Sequence, residues 1–112
     1  MINVKVSRSE DGSITGFTVK GHAGYAEEGS DIICAAVSAL CYTAAGYFRS
    51  GTPDGIFKTE FEEDDGYMKL VITDAGNERN AIRAQAVMDA WLTGIVQIKV
   101  SYGKKYIKII EE

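Results

Sequence analysis

Four short stretches of the chain alternate apolar and polar residues, which is the period of a strand with one buried face. These stretches are 1–7, 14–20, 57–61 and 68–72. Asp11-Gly12 gives a turn signal between the first two, and the acidic segment 62–66 separates the other two. The pattern therefore predicts two β-hairpins, and 105–110 is predicted to add a last short strand.

Two longer stretches place apolar residues three and four positions apart, which is typical of a helix with one buried face. The first covers about 31–49 and ends before Pro53, the only proline in the chain. The second covers about 81–102, and Gly103 fits the position just past its C-terminus. The resulting order, β-β-α-β-β-α-β, predicts an α+β fold. We expect a two-layer sandwich in which two helices pack on an antiparallel-rich sheet.

The second helix is apolar on more than one side, and this bears on the expected assembly. Its apolar residues between 86 and 100 include Val87, Met88, Trp91, Leu92, Ile95 and Val96. A two-layer sandwich of this size covers only one helix face, so the remainder predicts a homodimer across a two-fold axis. A sheet that bends around the helix is the alternative.

Length and charge narrow the possible classes. The chain has 112 residues, which predicts one domain spanning 1–112. Its 12 Lys and Arg against 16 Asp and Glu give a net charge of −4, which argues against direct binding of nucleic acid and leaves a basic partner open. No apolar run comes near the roughly 18 residues of a membrane span, so no membrane contact is expected. The N-terminus lacks a signal-peptide pattern, and we expect a cytoplasmic protein.

The two cysteines are the first candidates for chemistry. Cys34 and Cys41 are seven residues apart, which is a rise of about 10 Å along a helix, whereas a disulfide needs Cα atoms at roughly 4.4–6.8 Å. We therefore expect two free thiols in a reducing compartment. With one histidine and no paired metal-ligand motif, neither a metal site nor a cofactor is expected. A thiol on an alanine-rich helix is most often a small core residue, and we assign Cys41 that role.

Cys34 has a second interpretation because of where the helix begins. Asp31 is well placed as an N-cap, which puts Cys34 in the first helical turn, where the helix dipole favours thiolate over thiol. His22 ends the preceding strand, and the loop between is long enough to fold it back over the helix start. Such a pair is the minimal arrangement of nucleophile and base. From the residues alone, a cysteine enzyme and a core thiol with a structural histidine both stay open.

The surroundings of this pair supply further expectations. Asp31 could cap the helix, orient His22, or do both, and Ser38 lies one turn after the cysteine on the same face. Backbone N–H groups at the helix start are natural donors to an oxyanion. The loop 23–30 contains two glycines and offers only Tyr25 for packing, so we expect it to be mobile without substrate.

A dense motif covers this loop and the helix start. It reads Gly21-His22-Ala23-Gly24-Tyr25-Ala26, then Gly29, then Asp31-Ile32-Ile33-Cys34-Ala35-Ala36-Val37-Ser38. The motif resembles the signature of the ribosomal-processing cysteine protease Prp family, also called YsxB-like proteins, and the length and element order fit along the whole chain. The resemblance implies a cytoplasmic bacterial endopeptidase, usually a homodimer, with Cys34 and His22 as the catalytic pair. Gly21, Asp31 and Ser38 match the family's other motif positions, with supporting or substrate-binding roles.

The resemblance also implies a substrate, the large-subunit ribosomal protein number twenty-seven. In Firmicutes and related bacteria it carries a short N-terminal extension that must be removed. The expected function is therefore a cysteine endopeptidase that removes this extension during ribosome assembly. A non-catalytic, ribosome-associated factor that binds the same peptide is the alternative, and it would not need His22 paired with Cys34. A small-ligand module built as an oligomeric sandwich is a third interpretation, which rests on fold analogy alone.

Overall fold

The computed structural model of the protein describes residues 1–27 and 31–112. Within these ranges the chain forms five strands and two helices: β1 (Ile2–Arg8), β2 (Ile14–Lys20), α1 (Ile32–Ser50), β3 (Lys58–Asp64), β4 (Tyr67–Asp74), α2 (Glu78–Tyr102) and β5 (Ile107–Glu111). The order of the elements is the predicted one, and the α+β fold is confirmed.

The strands form one sheet with the order β3-β4-β2-β1-β5. The two predicted hairpins are antiparallel, and an antiparallel pairing of β2 with β4 joins them. β5 instead lies parallel to β1, so α2 carries the chain across to the sheet edge, a crossover that the expected hairpins do not include. The register places Lys20 opposite Tyr67, which brings the end of β2 beside the β3–β4 turn.

Both helices contribute to one core on one face of the sheet. On β1, Val4 and Val6 are fully buried while Lys5 between them is exposed, so only one sheet face is covered. The buried residues of α1 are Ile33, Val37, Cys41, Ala44, Ala45 and Phe48. From α2, Trp91 stacks on Phe17 of β2 with ring centroids 4.4 Å apart. The fold is therefore a layer of helices on a layer of strands.

The boundaries of α2 have local causes. The helix begins at Glu78, a few residues before the predicted start, because the Asn77 side chain accepts from the Asn80 N–H at 2.9 Å and caps it there. It ends at Tyr102, and the N–H of Gly103 donates to a carbonyl of the last turn at 2.9 Å, as expected of the residue just past a helix.

The extra apolar sides of α2 are mostly covered within the chain. Five of the six residues that predict a second copy pack on this chain's own core: Val87, Met88, Trp91, Leu92 and Ile95. The reason is the close approach of α1, whose Leu40 packs on Gly94, where an added Cβ would lie 2.7 Å from the leucine Cδ1. Val96 is 38% exposed and Val100 73%. The apolar surface left for a second copy is therefore smaller than predicted.

By length and composition, α1 could cross a membrane. It has 19 residues and a mean hydropathy of 1.4. By that measure the expectation that no apolar run comes near the length of a membrane span is wrong. In this fold the buried residues of the helix belong to the core that it shares with the sheet and α2.

Candidate active site

Gly21 positions the chain where it leaves β2. Its φ of +101° is one that L side chains rarely adopt, and an added Cβ would lie 2.5 Å from the carbonyl oxygen of Met1. Its N–H donates to the carbonyl of Gly66 in the β3–β4 turn at 2.8 Å. The backbone itself therefore requires glycine here, and the bond to Gly66 holds the start of the following loop beside that turn.

His22 follows with an exposed side chain at the mouth of a cleft. Its imidazole lies against Gly66, where an added Cβ would be 2.8 Å from the histidine Nε2. Gly66 has a φ of +65°, so the turn conformation also favours glycine there. The bare backbone of the turn leaves the space in which the imidazole ring lies.

Asp31 caps α1 and also holds the loop that follows β2. Its Oδ1 accepts from the N–H groups of Ile33 and Cys34, each at 3.0 Å. Its Oδ2 accepts from the N–H of Tyr25 at 3.0 Å and that of Ala26 at 3.4 Å. Burial acts to raise the pKa of this carboxyl, but the four donors outweigh burial and hold the pKa below its ordinary value. The carboxylate is therefore the bridge between the helix start and the loop.

Cys34 lies in the first turn of α1, as predicted, and its side chain is half-buried. Its Sγ accepts from the N–H of Ala23 at 3.3 Å, so the loop reaches over the helix start. The expectation that the helix end favours the thiolate is wrong for this geometry. Burial raises the pKa of the Cys34 thiol, and the Asp31 carboxylate raises it further, against the opposing effect of the Ala23 N–H. Burial and, after it, the capping charge thus act against the helix dipole.

The N–H groups in the first turn of α1 are already engaged. The Asp31 side chain accepts from Ile33 and Cys34. Its backbone carbonyl accepts from the N–H of Ala35 at 3.1 Å. The expectation that helix-start amides bind an oxyanion is therefore not supported at these three positions.

Two clefts meet at His22, Cys34 and Ser38. The first has a volume of about 370 Å³ and extends to Asp64 and Asp65 in the β3–β4 turn. The second, of about 440 Å³, is lined beyond the shared residues by Gly24, Ala26, Asp31 and Ala35. A peptide lying across both clefts would pass over the sulfur and the imidazole. The site is therefore open to a chain on both sides of a scissile bond.

The structure gathers all five residues that the sequence singles out: Gly21, His22, Asp31, Cys34 and Ser38. Ser38 is exposed at the junction of the clefts. Across residues 1–27 and 31–112, His22 makes no hydrogen bond with Cys34 or Asp31. Of the two roles expected for Asp31, the structure shows the cap.

Sequence reasoning missed the opposite wall of the first cleft. This wall is formed by Tyr42 of α1 and by the turn 64–67. The turn is far from the motif along the chain, and its acidic residues look like an ordinary solvated hairpin end. No local sequence signal reveals this wall, because it is the long-range pairing of β2 with β4 that brings the turn beside His22.

Cys41 lies two turns deeper on α1 and belongs to the core, as predicted. It is 2% exposed, and the Nε1–H of Trp91 donates to its Sγ at 3.5 Å. Burial raises the pKa of this thiol to about 11. In the part of the chain that the structure describes, no three His, Cys, Asp or Glu side chains cluster as a metal ion would require.

The predicted mobility of the loop 23–30 assumes that only Tyr25 offers a packing contact, whereas the structure shows further contacts. Ala23 is 4% exposed, and the N–H groups of Ala23, Tyr25 and Ala26 all have acceptors. The prediction for 28–30 lies outside the described residues. We therefore expect strong amide protection at 23, 25 and 26 instead of uniformly weak protection through the loop.

Known proteins resemble this chain along most of its length. A family model described as Cysteine protease Prp matches residues 1–108. The ribosomal processing cysteine protease Prp of Bacillus subtilis (strain 168) is 28% identical over 108 residues, which cover 91% of this chain and 90% of the relative. The protein of the same name from Staphylococcus aureus (strain Mu50) is 25% identical over 107 residues, which cover 93% of each chain.

Two solved structures have the same fold over their whole length. One is an essential ribosomal processing protease Prp from S. aureus in complex with a covalently linked product peptide, with a TM-score of 0.84 at 24% identity. The other is this S. aureus protease in complex with a substrate peptide, with a TM-score of 0.78 at 22% identity. Each match covers 100% of both chains.

Proposed function

This chain belongs to the cysteine protease Prp family and is a cysteine protease, and we propose that Cys34 is its nucleophile and His22 its general base. The proposed substrate is the N-terminal extension of the large-subunit ribosomal protein number twenty-seven, removed during ribosome assembly. The observation that carries the proposal is that both side chains line both clefts where the clefts meet. The names of the two relatives, ribosomal processing cysteine proteases, support the choice of substrate.

The proposed reaction begins when His22 takes the proton from the Cys34 thiol. The thiolate adds to the scissile carbonyl carbon, and the tetrahedral oxyanion then collapses with cleavage of the C–N bond. His22 returns the proton to the leaving amine, which leaves a thioester on the cysteine. Water then hydrolyses the thioester, with His22 as base, and restores the thiol. Because the pKa of the Cys34 thiol is raised, the imidazole base is needed to form the thiolate.

Ala23 supplies the oxyanion donor in this proposal. Its N–H lies 3.3 Å from the Cys34 Sγ, so a carbonyl carbon bonded to that sulfur would bring its oxygen within reach of the same donor. The engaged amides of the first helical turn support this assignment, since Asp31 already occupies them.

The β3–β4 turn supports a basic peptide as the substrate. Asp64 and Asp65 line the first cleft. The hydroxyl of Tyr42, on the same wall, donates to the carboxylate of Glu63 at 2.6 Å, which adds a further negative group nearby. Together with the net charge of −4, this wall would attract a cationic extension, and added salt should weaken that attraction.

We also propose a cytoplasmic homodimer that does not contact nucleic acid directly. The net negative charge supports the last point. The surface available to a second copy includes Val96 and Val100, which α2 leaves exposed. Light scattering at micromolar concentration should give the mass of two chains, and a monomer mass would contradict the dimer.

Incubation with the extended ribosomal protein, followed by mass spectrometry of the product, tests the function. The parent should shorten the substrate, and Cys34→Ala should abolish cleavage while the fold stays intact, because the covalent route is lost. Cys41→Ala makes the same chemical change on the same helix and should still cleave. His22→Ala should lose about 10²–10⁴-fold in rate.

Two outcomes would contradict the proposal. Cleavage by Cys34→Ala at the parent rate would show that the nucleophile is a different group. Binding of the extension by the parent without any cleavage would favour the non-catalytic peptide-binding factor.

A further inference from the structure

A cluster of three tyrosines lies beside the active site and takes no part in the proposed reaction. The ring of Tyr25 contacts Tyr102 with centroids 5.9 Å apart and planes at 81°, and contacts Tyr106 at 5.3 Å and 74°. Edge-to-face pairs at such distances attract beyond the burial of their surface. The three residues, Tyr25, Tyr102 and Tyr106, are called the tyrosine cluster below.

Hydrogen bonds hold the backbone at or next to two members of the cluster, Tyr102 and Tyr106. Tyr102 is the last residue of α2, and the next N–H, of Gly103, donates to the carbonyl of Lys99 at 2.9 Å. The carbonyl of Tyr106 accepts from the N–H of Ile2 in β1 at 2.8 Å. β5 follows directly and pairs with β1. The connection from α2 to β5 therefore presents both rings from the helix end and the sheet edge.

The third member belongs to the active-site loop. The N–H of Tyr25 donates to the Oδ2 of Asp31, and two residues earlier the N–H of Ala23 donates to the Cys34 Sγ. Tyr25 is 44% exposed, so its ring is not held by the main core and depends on the two other tyrosines for contact. Displacement of this ring would therefore move the amides that contact Asp31 and the sulfur.

We propose that Tyr102 and Tyr106 are positioning residues that hold the active-site loop in its working geometry through the ring of Tyr25. The inference rests on the proposed function in taking Cys34 as the nucleophile and the Ala23 N–H as the oxyanion donor. The contacts are made by aromatic rings, and within residues 1–27 and 31–112 neither hydroxyl donates a hydrogen bond, so phenylalanine should serve in both places.

Amide hydrogen exchange tests this directly, without any substrate. In the double variant Tyr102→Ala/Tyr106→Ala, the amides of residues 23, 25 and 26 should exchange roughly tenfold faster than in the parent. The variant Tyr102→Phe/Tyr106→Phe should keep the parent rates. Circular dichroism checks that the alanine variant folds. If it does not, Tyr25→Ala is used in its place, because it removes only one half-exposed ring, and the expected result is the same.

Tyr47 provides a matched control at the other end of α1. Its ring contacts Phe48 at 5.3 Å and Phe57 at 5.9 Å, the same two spacings that the tyrosine cluster shows. Tyr47→Ala should lower overall stability without selectively accelerating exchange at 23, 25 and 26. Unchanged exchange at these amides in the alanine variants, or an equal acceleration in Tyr47→Ala, would overturn the proposal.

Peptide cleavage gives a second readout. Loss of the two rings should lower kcat about tenfold and change KM less than about threefold, because the oxyanion donor moves while the acidic cleft wall stays intact. Phenylalanine at both positions should restore kcat. A loss confined to KM would contradict a positioning role. If the parent itself cleaves no peptide, the proposed function fails, and hydrogen exchange alone then decides the role of the cluster.

Discussion

Cys34 and Cys41 lie on one face of one helix, two turns apart, and differ in almost every property that governs a thiol. Cys34 is half-buried where two clefts meet, and a backbone N–H from a loop donates to its sulfur. Cys41 is 2% exposed, and an indole N–H donates to its sulfur from the neighbouring helix. Both sulfurs are hydrogen-bonded, so a donor to sulfur does not by itself make a nucleophile.

The decisive difference is how accessible the sulfur of each cysteine is from the clefts. Burial raises the pKa of both thiols, to about 11 for Cys41, so neither is acidic at rest. Both cysteines line the first cleft together with the exposed imidazole of His22, but Cys41 is almost fully buried there, and only Cys34 also lines the second cleft. Access to a base and to a peptide therefore separates the two cysteines more than resting acidity does.

The largest expected effect is on alkylation. Iodoacetamide at pH 8 should modify Cys34 about a hundredfold faster than Cys41, because a deeply buried thiol reacts only after local opening. Peptide mapping by mass spectrometry measures both rates in one sample. Comparable rates would remove the distinction between the two cysteines.

Asp31→Asn should change only one of the two thiols. Removal of the carboxylate charge should lower the pKa of Cys34, so its alkylation profile moves to lower pH while that of Cys41 stays in place. The variant should also lose about 1–3 kcal/mol of stability, since the amide cannot replace both accepting oxygens. An unshifted Cys34 profile would show that the cap does not set the acidity of this thiol.

The stability difference between the parent and Asp31→Asn should depend on pH, because the pKa of Asp31 is lowered in the folded parent. Stabilisation by this carboxylate is complete above the pKa of an unfolded aspartate, about 3.9, and is lost as pH falls through the lower folded value. Urea unfolding should therefore show that the difference in unfolding free energy between the parent and Asp31→Asn becomes smaller as the pH falls below 4. A constant gap would contradict the charge-based part of the effect.

Cys41→Ala should cost about 1 kcal/mol of stability, through a small void beside Trp91 and the loss of its hydrogen-bond acceptor. Cleavage should remain at the parent level when the measurement is made well below the melting temperature. Denaturant titration gives the first number and the peptide assay the second. A loss of cleavage without a loss of stability would place Cys41 in the chemistry.

The smallest expected effect comes from Ser38, which lies between the two cysteines. Ser38→Ala should change stability by less than about 0.5 kcal/mol, because the side chain is exposed. The alkylation rate of Cys34 should change less than about threefold, since the Ala23 and Asp31 contacts remain. A larger change in that rate would show that Ser38, one turn further along α1, also controls the reactivity of Cys34.

Local sequence signals predict the elements and the site motif well. Alternation finds the strands, and the cap at Asp31 correctly places Cys34 in the first helical turn. The parallel pairing of β1 with β5 could not be found in this way, because no turn connects these strands. The wall formed by 64–67 depends on the same kind of long-range register.

The acidity of Cys34 shows a different limit. The sequence correctly indicates a thiol near the positive end of a helix dipole. It does not reveal that the capping Asp31 carboxylate also faces the same sulfur and, together with burial, raises the pKa of the thiol. The sign of the shift depends on desolvation and on a charge a few ångströms away, which only the folded geometry supplies.

The strand pairing at the sheet edge also sets when activity can arise during synthesis. β1 leaves the ribosome early, but its parallel partner β5 and the Tyr106 ring emerge only after all of α2. Until then β1 has an unpaired edge, and Tyr25 lacks one of the rings that it packs against. In the proposed mechanism a growing chain therefore carries its nucleophile for most of its translation without a properly held oxyanion donor. Full activity is therefore expected only after Tyr106 and β5 have been made.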